Sequence, residues 1–250
     1  RMRQAAAKGL HTLEAPPGMA APYLVAAAND PAVKEHVIDA LASLGKDVVP
    51  HAIKALEQPD TRGLAIEVLG RLGPDAADAG SALLACLEQG DPAVCERVHF
   101  VLAEIGPAAA QATEKLAKAL DAKATVVRRS ALYALREIGP GAAAARPALM
   151  KMVQASGDSS ADSKFEKQAA AWALASIAPD DSAVVEAIAP ILVEGLKSNS
   201  ALVRLESVTA ALEISNATDR PIGKLIRKMA EEDTSPIVRE AAEAALKSQN

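Results

Sequence analysis

The stretch Val127–Gly139, with the sequence VRRSALYALREIG, has the pattern of one amphipathic helix. Ala131, Leu135 and Ile138 are three or four residues apart, so they lie on one face of a helix with 3.6 residues per turn. The glycine at the end of the stretch is a typical helix C-cap, and Pro140 prevents the helix from continuing. The stretch therefore predicts a helix with one buried face and a defined end.

This pattern recurs along the whole chain. With Arg128 as position 0, the copies follow one another at steps of 31, 28, 33, 33, 39, 37 and 35 residues, the period of a helical repeat array. The residues at position 0 are Arg3, Lys34, Arg62, Cys95, Arg128, Lys167, Arg204 and Arg239. A second helical pattern lies between successive copies, at Val48–Leu56, Ala79–Leu87, Thr113–Leu120, Arg146–Val153, Val184–Leu196 and Ile222–Met229. Each repeat is therefore predicted to be a helix A, a short turn and a helix B that contains position 0.

Three segments carry a resemblance to a known family. They are DPAVKEHVIDALASLG (Asp30–Gly45), DPAVCERVHFVLAEIG (Asp91–Gly106) and VVRRSALYALREIGP (Val126–Pro140). The pattern resembles HEAT repeats, especially the short bacterial variety that is also found in bilin-lyase-like proteins. The resemblance implies an all-α fold, a right-handed α-solenoid of about seven helical hairpins preceded by an N-terminal half repeat. It implies little about function, because the family includes scaffolds, adaptors and a few enzymes.

We expect a single repeat domain over residues 1–250. Its parts are a half repeat at 1–17 and repeats at roughly 18–45, 46–73, 74–106, 107–139, 140–178, 179–215 and 216–250. The chain has no initiator Met and opens inside a repeat, so we expect it to be a fragment of a longer protein. The sequence assigns no cellular compartment.

Composition limits the possible functions. Half of the 250 residues are hydrophobic and only 2% are aromatic, which suits a core of closely packed helices with small side chains. The net charge of −5 argues against broad binding to nucleic acid or to an anionic membrane. No apolar run is long enough to cross a bilayer.

The sequence shows no catalytic or metal-binding pattern. It lacks the phosphate-binding glycine loop, the HExxH motif and the GxSxG motif. Cys86 and Cys95 are the only cysteines, and they are interpreted as two unpaired, partly buried residues. The four histidines, which are scattered over different repeats, are His11, His36, His51 and His99. We therefore expect a protein that is not an enzyme and that has no cofactor and no metal.

One column of the repeat concentrates the aromatic residues. Position 5, which points away from the apolar stripe, is occupied by Phe100, Tyr133 and Trp172 in three consecutive repeats. If helix B lines the concave side of the array, these rings and the neighbouring Arg129 and Arg136 form a binding surface with the composition of an interaction hot spot. The alternative is that the rings cover a seam between adjacent B helices.

The basic column at position 0 also has two interpretations. Its cations are Arg3, Lys34, Arg62, Arg128, Lys167, Arg204 and Arg239. They could form a ribbon that binds phosphate or acidic peptides. The favoured interpretation is a structural ladder in which the aliphatic stems pack and the charges are partly paired between repeats.

The hypothesis that best fits these patterns is a non-enzymatic scaffold that binds a protein or peptide on the concave surface of its B helices, with no nucleic acid and no membrane insertion. The resemblance to bilin-lyase-like proteins suggests a subunit of such an enzyme as an alternative. A nucleic-acid-binding protein similar to the HEAT-like DNA glycosylases is a weaker alternative, because the net charge is negative.

Overall fold

A computed structural model of the chain describes residues 34–87, 91–155, 160–218 and 223–247. Within these ranges every regular element is helical. The α-helices are α1 (Lys34–Ala42), α2 (Val49–Leu56), α3 (Pro59–Leu72), α4 (Gly80–Leu87), α5 (Pro92–Ile105), α6 (Thr113–Ala119), α7 (Thr125–Ile138), α8 (Arg146–Gln154), α9 (Ala161–Ile177), α10 (Ser182–Leu196), α11 (Ala201–Thr218), α12 (Lys224–Glu232) and α13 (Pro236–Lys247). The predicted all-α architecture is therefore confirmed.

The helices alternate as the repeat pattern predicts. The odd-numbered helices are the B helices, which contain the position 0 residues of the described part of the chain, and the even-numbered helices are the A helices. The A helices end within one residue of their predicted ends, as α8 does at Gln154, except that α12 continues to Glu232, three residues beyond the predicted end at Met229. The predicted half repeat at 1–17 and the first helix A lie outside the described residues.

Glycine ends the B helices where the sequence predicts it. Gly73 and Gly139 have φ of 53° and 62°, a backbone conformation that side chains with a Cβ rarely adopt. Each of these glycines also opens a seven-residue 3₁₀ segment, Gly73–Ala79 or Gly139–Ala145, before the next helix A begins. The repeat pattern predicts that a helix B ends at these glycines, but it does not predict the 3₁₀ segments that lead to the next helix A.

The chain divides into two compact units, Arg1–Leu116 and Ala117–Asn250, with the boundary inside α6. In the first unit α3 packs between α1 and α5, and α2 packs on α4. In the second unit α9 packs between α7 and α11, α11 packs on α13, and α8 packs on α10. Each unit therefore has one layer of A helices and one layer of B helices, with the core between the layers.

Helix α9 differs from the other B helices in how completely it is buried. It contacts α7, α8, α10, α11 and the 3₁₀ segment Gly139–Ala145. All residues from Gln168 to Ala175 are buried, including Trp172. A helix that is buried on every side needs small or apolar residues all round, and the sequence QAAAWALA provides them. This helix is the centre of the second unit.

Candidate functional site

The position 0 cations bond to the chain itself. Arg128 Nη1 donates to the carbonyl oxygen of Ala122 at 2.9 Å, and Arg204 Nη1 donates to that of Ser198 at 2.8 Å. In each case the carbonyl lies six residues earlier, in the turn that follows helix A. Arg62 and Arg239 make the corresponding bond to the carbonyls of Leu56 and Asp233. An arginine at position 0 therefore supplies a donor to carbonyls that the end of helix A leaves without a partner.

Carboxylates of the following repeat complete this arrangement. Arg128 bonds to both carboxylate oxygens of Glu166, at 2.9 and 2.8 Å, and Arg204 bonds to both oxygens of Asp233 at 2.8 Å. Bidentate pairs of this kind are the stronger class of ion pair. Lys34 bonds to Glu67, and Lys167 donates to the carbonyl of Ala155. These contacts support the structural interpretation of the ladder; Arg3 lies outside the described residues.

In the first unit the outward face of α1, α3 and α5, here called the open face, carries Phe100. Its side chain is 64% exposed, the highest value among the large hydrophobic residues described. Arg97, one turn earlier on α5, is half exposed and bonds to Glu67 at 3.1 Å. A large exposed ring one helical turn from an arginine is the combination that protein interfaces favour.

Two glycines on α3, the middle helix of the open face, have no side chain toward α5. Gly63 and Gly70 lie on α3, between α1 and α5. A Cβ on Gly70 would lie 3.0 Å from Val101 Cγ2, so glycine is what allows α5 to approach α3 this closely. Glycine inside a helix costs about 1 kcal/mol relative to alanine, and at Gly70 this close approach explains its presence. On the open face, no side chain projects from α3 at these two glycines, whereas the Phe100 ring projects from α5.

Exposed ion pairs fix the charges of the open face. Glu67 accepts from both Lys34 and Arg97, and Arg71 bonds to Glu35 and Asp39. Three cations thus meet three carboxylates, and the pairs of Arg71 are at least half exposed on both sides. Solvent screens such pairs, so their contribution to stability is small.

In the second unit the same repeat position is buried. Trp172 on α9 is only 1% exposed, and its Nε1 donates to Ser207 Oγ on α11 at 3.3 Å. Phe165 packs edge-on against the Trp172 ring, with the ring centroids 5.8 Å apart. The prediction that Trp172 belongs to an exposed aromatic row is therefore wrong, because α9 is enclosed by its neighbours. For this ring the structure agrees with the alternative of a packed seam.

Arg129 is already engaged on the outward face of α7, α9 and α11, here called the closed face. Its Nη2 bonds to Asp162 at 2.7 Å, and its guanidinium lies 4.8 Å from the centroid of the Phe165 ring. Phe165 in turn covers one side of Trp172. Arg129, which was expected to belong to a binding surface beside the aromatic row, thus bonds to Asp162 of the same chain.

Arg136 is engaged as well. It bonds to Glu206 on α11 at 2.6 Å, and the two side chains are only 16% and 15% exposed. Tyr133, half-buried on α7, lies near this pair: burial raises the pKa of its hydroxyl, and the charge of Glu206 raises it further. Burial also raises the pKa of Glu213, against the opposing effect of Arg136, and Glu213 Oε2 is buried without a hydrogen-bond partner. The closed face is thus a compact set of charges that are mostly paired internally.

No arrangement for catalysis or metal binding stands out in the described part of the chain. Within it, no group of three or more His, Cys, Asp and Glu side chains has the geometry to hold a metal ion. Cys86 and Cys95 are both free and buried, and burial raises the pKa of both thiols. A raised pKa keeps a thiol protonated and poorly nucleophilic. These cysteines are therefore suited to packing rather than to covalent chemistry.

An apolar cavity of about 230 Å³ lies between α10, α11 and α12. Its lining residues are Val185, Ala189, Leu192, Val193, Leu196, Ala211, Ile214, Ser215, Gly223, Leu225 and Ile226. The lining contains no charged side chain, so it could hold an apolar group but offers no chemistry. A search of the helices in the described ranges found none that is long and apolar enough to cross a membrane.

Comparison with known families matches two parts of the chain. Residues 49–136 match the family described as HEAT repeats, and residues 127–155 match the family described as PBS lyase HEAT-like repeat. No curated protein sequence matches the chain.

Solved structures show the same fold. Two are crystal structures of engineered proteins, each 22% identical to this chain. The first has a TM-score of 0.55, and its match covers 92% of this chain and 63% of the engineered protein. The second has a TM-score of 0.52, and its match covers 80% of this chain and 96% of the engineered protein. A third structure, Kap121p bound to Nup53p, is 12% identical to this chain and has a TM-score of only 0.42. The match covers 90% of this chain and 28% of the other chain. The two engineered proteins, with the family matches, establish an α-solenoid built from repeats.

Proposed function

Because the chain is a HEAT-repeat protein, we propose that it is a non-enzymatic scaffold that binds a protein or peptide on the outward surface of its B helices. Repeat proteins of this kind present extended surfaces rather than enclosed pockets. The observation that carries the proposal is the open face of the first unit, where Phe100 is 64% exposed on a B helix.

The surroundings of Phe100 support this role. Arg97 lies one helical turn before Phe100 and pairs with Glu67, so an arginine accompanies the exposed ring. Gly70 allows α5, the helix that carries Phe100, to pack closely on α3. An extended segment with an apolar side chain against the exposed Phe100 ring fits this surface. The closed face contributes to the proposal only through Tyr133, because Trp172 is buried and both arginines are paired.

The proposal is tested with a displayed library of random dodecapeptides, selected on the intact chain. Peptides that bind are then measured against Phe100→Ala. We expect at least a tenfold loss of affinity, since an aromatic anchor contributes about 2 kcal/mol or more at an interface. Ile237→Ala is the matched control, because Ile237 is 60% exposed but lies on α13, and it should leave the affinity unchanged.

Two results would contradict the proposal. One is a selection that yields no peptide binding above background. The other is a set of peptides that bind Phe100→Ala as tightly as the unmodified chain. Phe100→Ala should remain folded because the side chain is largely in solvent, so a loss of binding would not be a folding effect.

A further inference from the structure

The pair Arg136–Glu206 joins two B helices that are not neighbours in the array. Arg136 lies in the last turn of α7 and Glu206 in the first half of α11, and α9 packs between these helices. Packed helices are typically 8–10 Å apart, so α7 and α11 would be about 16–20 Å apart in a flat layer. A hydrogen-bonded contact of 2.6 Å across that interval requires both side chains to reach over α9.

The sequence of α9 makes this crossing possible. In the repeat, Arg136 occupies position 8 and Glu206 position 2, and position 5 of the helix between them is Trp172. The residues at positions 2, 6 and 8 of α9 are Ala169, Ala173 and Ala175. Alanines leave the surface of α9 low on both sides of the indole ring. In a layer of helices in register, the line from position 8 of α7 to position 2 of α11 passes position 5 of α9, which is Trp172, a ring that is 1% exposed.

A second group of side chains contacts the same ring. Phe165, two turns before Trp172, packs edge-on against it, and Arg129 lies over Phe165 while it bonds to Asp162. The Trp172 ring thus contacts Phe165 on its own helix and Ser207 on α11, and the Arg136–Glu206 pair joins the helices on either side of it.

We propose that Arg136 and Glu206 form a clasp that closes over Trp172, so that the closed face presents its aromatic surface only when the ion pair opens. The inference rests on the proposed function insofar as the clasp regulates access to a B-helix surface. The clasp itself is a property of the free chain. It holds α7 and α11 at a fixed spacing, and it covers the indole with a pair of charges that are themselves mostly buried.

The charges around the clasp make it suitable for opening. Arg136 faces Glu206 and Glu213 on α11 and Glu137 on its own helix, while α9 contributes no charged side chain from Gln168 to Ile177. On α13, which packs on α11, Lys247 is paired with Glu243. Arg136 thus interacts with more than one carboxylate, so a cation that takes Glu206 leaves Arg136 with Glu213 as a neighbouring countercharge.

The experiment uses the fluorescence of Trp172, the only tryptophan in the chain. In the unmodified protein we expect blue-shifted emission and weak quenching by acrylamide. Arg136→Ala should shift the emission to longer wavelength and increase the quenching constant at least threefold. Arg146→Ala is the matched control. It removes an ion pair of equal length, Arg146–Asp181 at 2.6 Å, that joins the A-helix layer of the same unit and should leave Trp172 protected.

Glu206→Gln provides the second variant, because it keeps the shape of the side chain while it removes the charge. It should increase the quenching constant less than Arg136→Ala does, and both variants should keep the circular dichroism of the unmodified chain. The clasp is overturned if Trp172 is as protected in both variants as in the unmodified protein, or if Arg146→Ala exposes it equally. Peptide binding on the open face does not enter this readout, so the clasp and the scaffold can fail independently.

Discussion

The open face of the first unit and the closed face of the second unit are built from the same repeat, yet the side chain at repeat position 5 is exposed on the open face and buried on the closed face. Phe100 is 64% exposed, whereas Trp172 is 1% exposed. The ion pairs differ in the same direction: Arg71–Glu35 is 50% and 72% exposed, and Arg136–Glu206 is 16% and 15% exposed. A position in a repeat therefore fixes the direction in which a side chain leaves its helix, and the neighbouring helices decide whether it meets solvent.

Substitution of the two rings should produce the largest difference between the faces. Trp172→Ala removes a fully buried indole and its bond to Ser207, so we expect a loss of about 3–5 kcal/mol in the free energy of unfolding. Phe100→Ala should change it by less than about 0.5 kcal/mol, since the ring is mostly in solvent. Urea unfolding followed by circular dichroism measures both. Equal losses for the two variants would remove the contrast between the faces.

The repeat pattern predicted the fold because the same apolar spacing and the same glycine caps occur in copy after copy. It also predicted the A–B alternation and the ends of most A helices. It failed at Trp172 because periodicity describes one helix at a time, whereas burial depends on five neighbouring elements. A signal was present in the sequence: from Gln168 to Ile177 α9 has no charged residue on any face, whereas α7 retains Arg129 and Arg136 on its outward face.

The pairing of the candidate arginines could not be predicted for a related reason. Arg129 and Arg136 find their partners 33 and 70 residues away, at Asp162 and Glu206. The first partner lies in the first turn of α9, which begins at Ala161 in the next repeat. The second lies two repeats away. Spacing within one repeat contains no information about either contact.

The glycines of the two units provide a second comparison. Gly195 on α10 packs so closely that a Cβ there would overlap Ser207 Oγ and lie 2.6 Å from Gln168 Oε1, both buried beside Trp172. Gly195→Ala should therefore destabilise the chain by about 1–3 kcal/mol. At Gly63 the nearest atom is the flexible end of Arg97, at 3.3 Å, so Gly63→Ala should be neutral or stabilise by up to about 1 kcal/mol. Thermal unfolding of the two variants tests both expectations. A Gly63→Ala variant that is less stable than the unmodified chain would contradict the comparison.

The ion pairs should differ in strength and in salt dependence. Arg204→Met leaves Asp233, whose side chain is only 6% exposed, without its bidentate partner, so we expect a loss of about 2–3 kcal/mol. Arg71→Met on the open face should cost about 0–1 kcal/mol, and 1 M NaCl should abolish that cost because exposed charges are screened. Urea unfolding at low and high salt distinguishes the two. A salt-sensitive effect of Arg204→Met would indicate that this pair, too, is solvated.

The pair Arg204–Asp233 also predicts a pH dependence. The hydrogen bond from Arg204 lowers the pKa of Asp233 below its ordinary value. A carboxylate with a lowered pKa in the folded state contributes stability above the pKa of the unfolded chain, and this contribution is lost as the pH falls through the lowered value. The difference in stability between the unmodified chain and Arg204→Met should therefore be constant near neutral pH and shrink in acid, below about pH 4.

Substitution of Glu213 should change the stability least. The pH dependence of this change has the opposite sign to that of the Arg204–Asp233 pair. Burial raises the pKa of its carboxyl group, and Oε2 has no hydrogen-bond partner. The charged form is therefore disfavoured in the folded state, so Glu213→Gln should stabilise the chain at neutral pH. As the pH falls through the raised pKa, the unmodified carboxyl is protonated, its penalty disappears, and the advantage of Glu213→Gln should vanish with it. The exposed Glu186 on the same unit is the control, and Glu186→Gln should leave the thermal midpoint unchanged at both pH values. A Glu213→Gln variant that is destabilised at neutral pH would show that this carboxylate is satisfied on the closed face, in contrast to what its burial predicts.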